Sequence, residues 1–233
     1  MTSRHEGRAD NRLLRGQETR RRLMLAAEKL IADKGIEQVS IREILREAQQ
    51  SNTSALQYHF GNLRGLIAAI HTERSEQTRQ KRAELLQELL ATTATPDLRQ
   101  ICSLMIRPSF ELARTTTDYR IYVKAFGQQL TTIEDSAFLK AAGQGAGGAS
   151  GVELGRHLRR ALSHLSDETF QQRLDFAVRL CAAAMSAQAS KGAFNGQRGV
   201  FFIEGLIDVL VGLLSTPESQ KDAETGTAGK HAG

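Results

Sequence analysis

Residues 51–60 read Ser-Asn-Thr-Ser-Ala-Leu-Gln-Tyr-His-Phe and concentrate hydrogen-bonding side chains in one short stretch. On a helix, Thr53, Ser54 and Gln57 share a polar face, and Leu56 and Phe60 form an i, i+4 apolar pair on the inner one. A glutamine amide donates and accepts at once, which suits the edge of adenine, and a threonine methyl can touch that of thymine. Tyr58 and His59 come later, where a hydroxyl or imidazole reaches a phosphate. This is chemistry of recognition. No Ser-His-Asp or paired-carboxylate arrangement stands out in the chain, so an enzyme is not expected. An ordinary helix with a polar outer face would show the same residues, and spacing alone leaves both readings open.

The elements that must position these groups are legible upstream. A first helix is expected to begin near Thr19, whose hydroxyl can cap it, with Leu23, Ala27, Leu30 and Ile31 on one face. Gly35 suits the left-handed residue that ends it. Ser40-Ile41-Arg42-Glu43 is an S-x-x-E capping box opening a second helix, with Ile41, Ile44, Leu45 and Ala48 facing inward. The polar segment Gln49-Gln50-Ser51 follows, and Asn52 is placed to cap a third helix over 53–60, which Gly61-Asn62 ends. Two short helices joined by a tight turn after a supporting helix are the layout of a helix-turn-helix.

Charge points the same way. Residues 1–82 hold 16 Lys and Arg against 10 Asp and Glu, a net +6, and residues 83–233 hold 15 against 16, a net −1. All the excess positive charge therefore lies in the first third, which fits a polyanionic partner or a solvated basic tail. Residues 1–17, with Arg4, Arg8, Arg12 and Arg15, lack apolar periodicity and are expected to be a flexible arm. Residues 216–233 are expected to be a disordered tail. Ala, Leu, Arg, Gln and Glu recur throughout, so an all-helical fold is the first expectation. No N-terminal apolar stretch resembles a signal peptide, and Glu204 and Asp208 break the longest apolar run, so a membrane span is not expected. Cys102 and Cys181 match no metal or redox spacing and read as buried thiols of a reducing cytoplasm.

The segment 18–72 resembles the tetracycline-repressor (TetR) family. The pattern is carried by Thr19-Arg20, Leu23, Ala26-Ala27, Leu30-Ile31, Gly35, Ser40-Ile41-Arg42-Glu43-Ile44 and Tyr58-His59-Phe60-Gly61, with Leu66 and Ile67 after. Three departures stand out: Gln49 occupies a turn position that is often Gly, the stretch from Ile44 to Asn52 is one residue longer than usual, and Leu63, followed by Arg64, stands where a basic residue is common. The resemblance implies an all-α chain: a three-helix helix-turn-helix head (18–65) joined by a long helix to a helical dimerisation and ligand-binding body (66–215). It implies double-stranded DNA with a pseudo-palindromic operator as partner, a homodimer, a cytoplasmic repressor, and no cofactor or metal. The implied DNA contacts are Thr19, Ser40, Arg42, Asn52, Thr53, Ser54, Gln57, Tyr58, His59 and Arg64.

In the body, a long helix is expected over Leu63 to about Thr92, with further helices near 97–114, 118–132, 151–165, 167–190 and 198–215. Phe170, Leu174, Ala177, Cys181, Ala184 and Gln188 mark one apolar stripe, and Phe202, Leu206, Val209, Leu210 and Leu213 another. By the resemblance these form the dimer surface; periodicity fits intrachain core equally well. Met105, Phe110, Tyr119, Tyr122 and Phe126 are the candidate lining of a site for a small apolar effector. Gly143 to Gly148 spells G-x-G-x-x-G, but no β-branched strand precedes it, so a loop is expected. His157 and His164 lack a carboxylate to complete a ligand set. Two classes remain: a ligand-responsive regulator, and an effector-independent DNA-binding protein of architectural or division-control type.

Overall fold

The computed structural model describes residues 3–127 and 147–218, the side chains of residues 3–13 excepted. Every regular element among them is helical: α1 (Ser3–Lys34), a 3₁₀ turn (Ile36–Gln38), α2 (Ile41–Glu47), α3 (Ala55–Phe60), α4 (Leu63–Thr92), α5 (Leu98–Thr115), α6 (Thr117–Phe126), α7 (Gly148–Ala161), α8 (Asp167–Lys191) and α9 (Gly196–Ser215). The architecture is the expected one: a helix-turn-helix head, a long connecting helix, and a helical body.

The head closes around Leu23, Ala27 and Ile31 of α1, Ile44 and Leu45 of α2, Leu56 of α3, and Leu66 and Ile70 of α4, all buried. Its local signals act as read. Gly35, at φ +83°, ends α1. Ser40 Oγ accepts from the Glu43 amide at 3.3 Å, and Glu43 accepts from the Ser40 amide at 3.0 Å, a reciprocal cap. Asn62 caps α4 by accepting from the Gly65 amide at 2.9 Å. A Cβ on Gly65 would fall 2.0 Å from the Phe60 carbonyl oxygen, so only glycine allows α4 to start this close to the end of α3.

Three expectations change. α1 begins at Ser3, so the segment expected to be a flexible arm is helical from there and Thr19 lies within a helix instead of capping one. Arg, Glu, Ala, Gln and Leu are good helix formers, and a helix already nucleated by its packed half extends cheaply through them. α3 begins at Ala55: Asn52 Oδ1 accepts from the Ser54 amide at 2.9 Å, which turns the chain two residues before the helix. Ile41, expected to face inward, is exposed.

α4 carries the body. Its buried positions are Leu66, Ile70, Arg74, Thr78, Arg82 and Leu86, a strict every-fourth stripe with polar residues in its middle. α5 and α7 pack on α4, α9 on α5, and α8 on α6 and α9. Asp97 and Gln100 cap α5 reciprocally, at 2.8 and 3.0 Å. Glu204 and Asp208, read as sharing a helix face, both bind Arg99, and Glu204 also accepts from Arg107 at 2.6 Å.

The two stripes expected at a dimer surface are mostly intrachain core. Phe170, Leu174, Ala177, Cys181, Gln188, Leu206 and Leu210 are buried within this one chain, and Phe202 is half-buried. The apolar side chains that α8 and α9 leave open lie one helical step aside: Phe176, Val200, Phe201 and, from the expected set, Val209. Cys102 and Cys181 are buried free thiols, each pushed up to about 12 by burial. Residues 128–132 of the expected α6 extent, residues 143–146 of the glycine motif and residues 219–233 of the expected tail lie outside the described residues; Gly147 and Gly148 open α7.

Candidate nucleic-acid interface

α3 is a six-residue helix held by its inner side, with Ala55 and Leu56 buried. That anchorage leaves the other side free. Thr53, Ser54, Gln57 and Tyr58 are all exposed, and Tyr58 is 84% exposed. A tyrosine this exposed does not hold the head together. Thr53 and Ser54 belong to the turn before α3, and Gln57 to the helix itself, so the polar face spans the turn and the first helical turn together.

The rim of this face is set by packing between α1 and α3. The Arg20 guanidinium lies 4.9 Å above the Phe60 ring, and His59 meets Tyr58 edge to face at 4.9 Å. Partial burial, and then the nearby Arg20 charge, push the His59 pKa down, which favours the neutral imidazole over the cation. Arg20 is the residue that sequence reasoning underused. It was part of the matched pattern, but nothing in spacing shows that it stacks on a residue forty positions away.

The other expected contacts divide by what they already do. Ser40 is exposed but its hydroxyl serves the cap of α2. Glu43 in that cap is held at about 2 by Lys34 and by the Ser40 amide and hydroxyl, so the box is ionised at any ordinary pH. Arg42 on the first turn of α2 and Arg64 on the first turn of α4 are exposed and flank the turn–α3 segment in sequence. Thr19 is half-buried on α1. Asn52 is exposed and bonded locally. Gln49, in the turn, adopts φ +54°, the left-handed region that glycine enters freely. The glycine missing from the pattern is therefore missing at the position whose backbone needs it.

The head is coupled to the body through α1, α4 and α6. Glu28 of α1 accepts two bonds from Arg74 of α4, at 2.8 and 2.7 Å, with both side chains buried. Burial works against the Arg74 cation, and the bonds to Glu28 outweigh it, leaving its pKa raised. His71 of α4 sits 3.2 Å from the Tyr122 hydroxyl and 4.7 Å from the Phe126 ring, and burial pushes its pKa down. Thr78 and Tyr119 share a 2.6 Å hydrogen bond. Arg21 reaches Asp118, and Lys124 reaches Asp33, at 3.3 Å each.

The residues expected to line an effector site fall into different clusters. Tyr119, Tyr122 and Phe126 meet in turn as tilted rings, at centroid distances of 5.7 and 5.5 Å, at the joint between α6 and α4. Phe110 instead lies tilted against Phe194 at 5.7 Å and stacked on Phe202 at 6.2 Å, and Met105 is half-buried on α5. His157 lies 3.6 Å from Glu153, and His164 is exposed.

Residues 23–70 match the family model described as bacterial regulatory proteins, tetR family. The match runs from Leu23 in α1 through α2 and α3 to Ile70 in α4, so it spans the head core and the polar face. No curated protein matches the chain.

Proposed function

We propose, from the premise that this chain belongs to the tetR family of DNA-binding bacterial regulators through its residues 23–70, that it acts as a homodimeric repressor of a roughly palindromic operator. Gln57 and Thr53 read bases. Tyr58, His59, Arg42 and Arg64 position the head on the backbone, with Thr19, Ser40, Asn52 and Ser54 as further contacts at its edge. The observation that carries this reading is the outward polar face of the turn and α3, unburied on a helix whose opposite side is fully anchored. Effector binding in the body releases the operator, which requires different affinity for the DNA-competent and released forms.

Dimerisation is supported by the apolar side chains left open on α8 and α9. Phe201 is 84% exposed, and Phe176, Val200 and Val209 are each more than half exposed. Sizing with light scattering at micromolar concentration is expected to give a dimer, and Phe201→Asp a monomer with weakened operator binding. A wild-type monomer contradicts the reading.

One observation favours a second reading, an effector-independent DNA-binding protein: of the rings expected to line a chamber, Tyr119, Tyr122 and Phe126 are in contact with one another, and Phe110 lies apart from them against Phe194 and Phe202. Fluorescence anisotropy on a labelled operator separates the two. Release by a fraction of cell metabolite extract supports the effector; binding unaltered by every fraction supports the second reading.

A further inference from the structure

The buried stripe of α4 carries, one turn before its last member Leu86, a cation without a counter-charge among the described residues. Arg82 is 9% exposed, and its Nε is fully buried with no hydrogen-bond partner. Its Nη1 donates one long bond, 3.4 Å, to the carbonyl of Gly147. Two turns earlier on the same stripe, Arg74 is matched by both oxygens of Glu28. Besides burial, the groups that bear on Arg82 are the Tyr119 hydroxyl and then Arg79, another cation, itself bonded to Glu76 at 3.0 Å. Burying an unpaired guanidinium is costly, and packing alone does not call for it, since methionine or leucine would fill the place.

The guanidinium lies against the first turn of α7. A Cβ placed on Gly147 or on Gly151 would come 3.5 Å from Arg82 Nη1. α7 is fourteen residues long, and its N-cap, Gly147, makes no side-chain capping bond. Its first backbone N–H groups are therefore without intrahelical acceptors, and the helix dipole adds positive potential at the same end. A helix N-terminus and an arginine both favour an oxyanion, the first through converging amides and the second through its paired N–H donors. Glycine at 148, at φ +66°, lets Arg79 pass close by as well: a Cβ there would fall 2.8 Å from Arg79 Cδ.

We propose that Arg82 and the first turn of α7 form a site for the carboxylate or phosphate group of a small molecule. The oxyanion supplies the charge that Arg82 lacks and accepts from the open amides of α7. This deepens the reading of the body as a sensor and rests on it for its consequence: an acidic effector would tie α7 to α4, the helix that leads into the head.

The test uses the full-length protein. Thermal melts and titration calorimetry are run with inorganic phosphate and with sodium acetate against sodium chloride at matched ionic strength, on wild type, Arg82→Met, Arg82→Lys and the exposed control Arg198→Gln. The wild type and Arg198→Gln are expected to show a saturable rise of roughly 2–5 °C with at least one of the two oxyanions beyond that with chloride. Which of the two acts identifies carboxylate or phosphate. Arg82→Met is expected to melt higher than wild type without ligand and to lose the oxyanion response. Arg82→Lys keeps the charge, loses the fork of donors, and is expected to bind about tenfold more weakly. An equal response in wild type and Arg82→Met, no response in wild type, or a lower melting temperature for unliganded Arg82→Met would overturn the site. Operator binding is followed separately: oxyanion binding without DNA release supports the site and contradicts the effector reading alone.

Discussion

The outer face of α3 and the inner face of α4 are built from similar polar side chains in opposite conditions. On α3 and its turn, Thr53, Ser54, Gln57 and Tyr58 are in water. On α4, Arg74 and Thr78 are buried and bonded, to Glu28 and Tyr119. A polar group in water costs nothing to keep and is free to exchange its hydration for another partner; a buried one must find its partner within the fold. The first condition suits recognition of a molecule outside the chain. The second suits holding a head and a body in one geometry. The difference implies that damage to α4 reads out in folding and damage to α3 in binding.

The largest effect is expected where a buried partner is removed. Glu28→Gln leaves the Arg74 guanidinium buried without its counter-charge and is expected to cost about 3–5 kcal/mol in denaturant unfolding. The double change Glu28→Leu with Arg74→Met is expected to cost much less, because both charges go together. Equal losses in the two would show that packing, not charge, is what the pair contributes.

A smaller effect, of opposite sign, is expected in the turn. Gln49→Gly relieves a left-handed residue at φ +54° and is expected to raise stability by about 0.5–1 kcal/mol, with operator affinity unchanged. A lower melting temperature would show that the Gln49 side chain holds the turn.

Smaller still is a pH effect at the joint. Burial holds His71 below its ordinary 6.5, so the unfolded chain binds the proton more readily than the folded one. Stability is then present above about pH 6.5 and declines as pH falls below it. His59 is displaced in the same direction, so the measurement is a difference: His71→Gln is expected to flatten part of the decline between pH 7 and 5.5. That window lies above the range where carboxyls such as Glu43, held at about 2, matter. An unchanged slope would remove His71 from the account. At the bottom of the series, Tyr58→Ala is expected to leave the melting temperature unaltered, because its ring touches little but His59.

Local signals carried most of the head. The Ser40–Glu43 box, Gly35, and the Gly61-Asn62 break act within three or four residues, so type and spacing suffice to read them. α4 from Leu63 to Thr92 was likewise legible as a long run without breakers after Gly65. What spacing could not supply was the identity of the far partner. Glu28 and Arg74 stand forty-six positions apart, and Arg20 and Phe60 forty. The apolar faces of α8 and α9 were found, but periodicity says that a face is covered and not by what: Leu174 and Leu210 went to this chain's own core, while Phe201 was left outside. The start of α1 was missed because residues 3–17 have helix-forming types without an apolar stripe, so only the structure reveals how far the helix extends.

The central claim is that the outward face of α3 reads DNA sequence, and selection from random duplexes tests it most directly. Full-length wild type and Gln57→Ala are each taken through binding-site selection at one salt concentration, with affinities measured on the best site. The wild type is expected to enrich a palindrome with two half-sites. Gln57→Ala is expected to lose about 1–3 kcal/mol on that site and to relax preference at one base pair per half-site. A wild type that enriches no sequence, or a Gln57→Ala variant with the same preference at every position, would contradict the account.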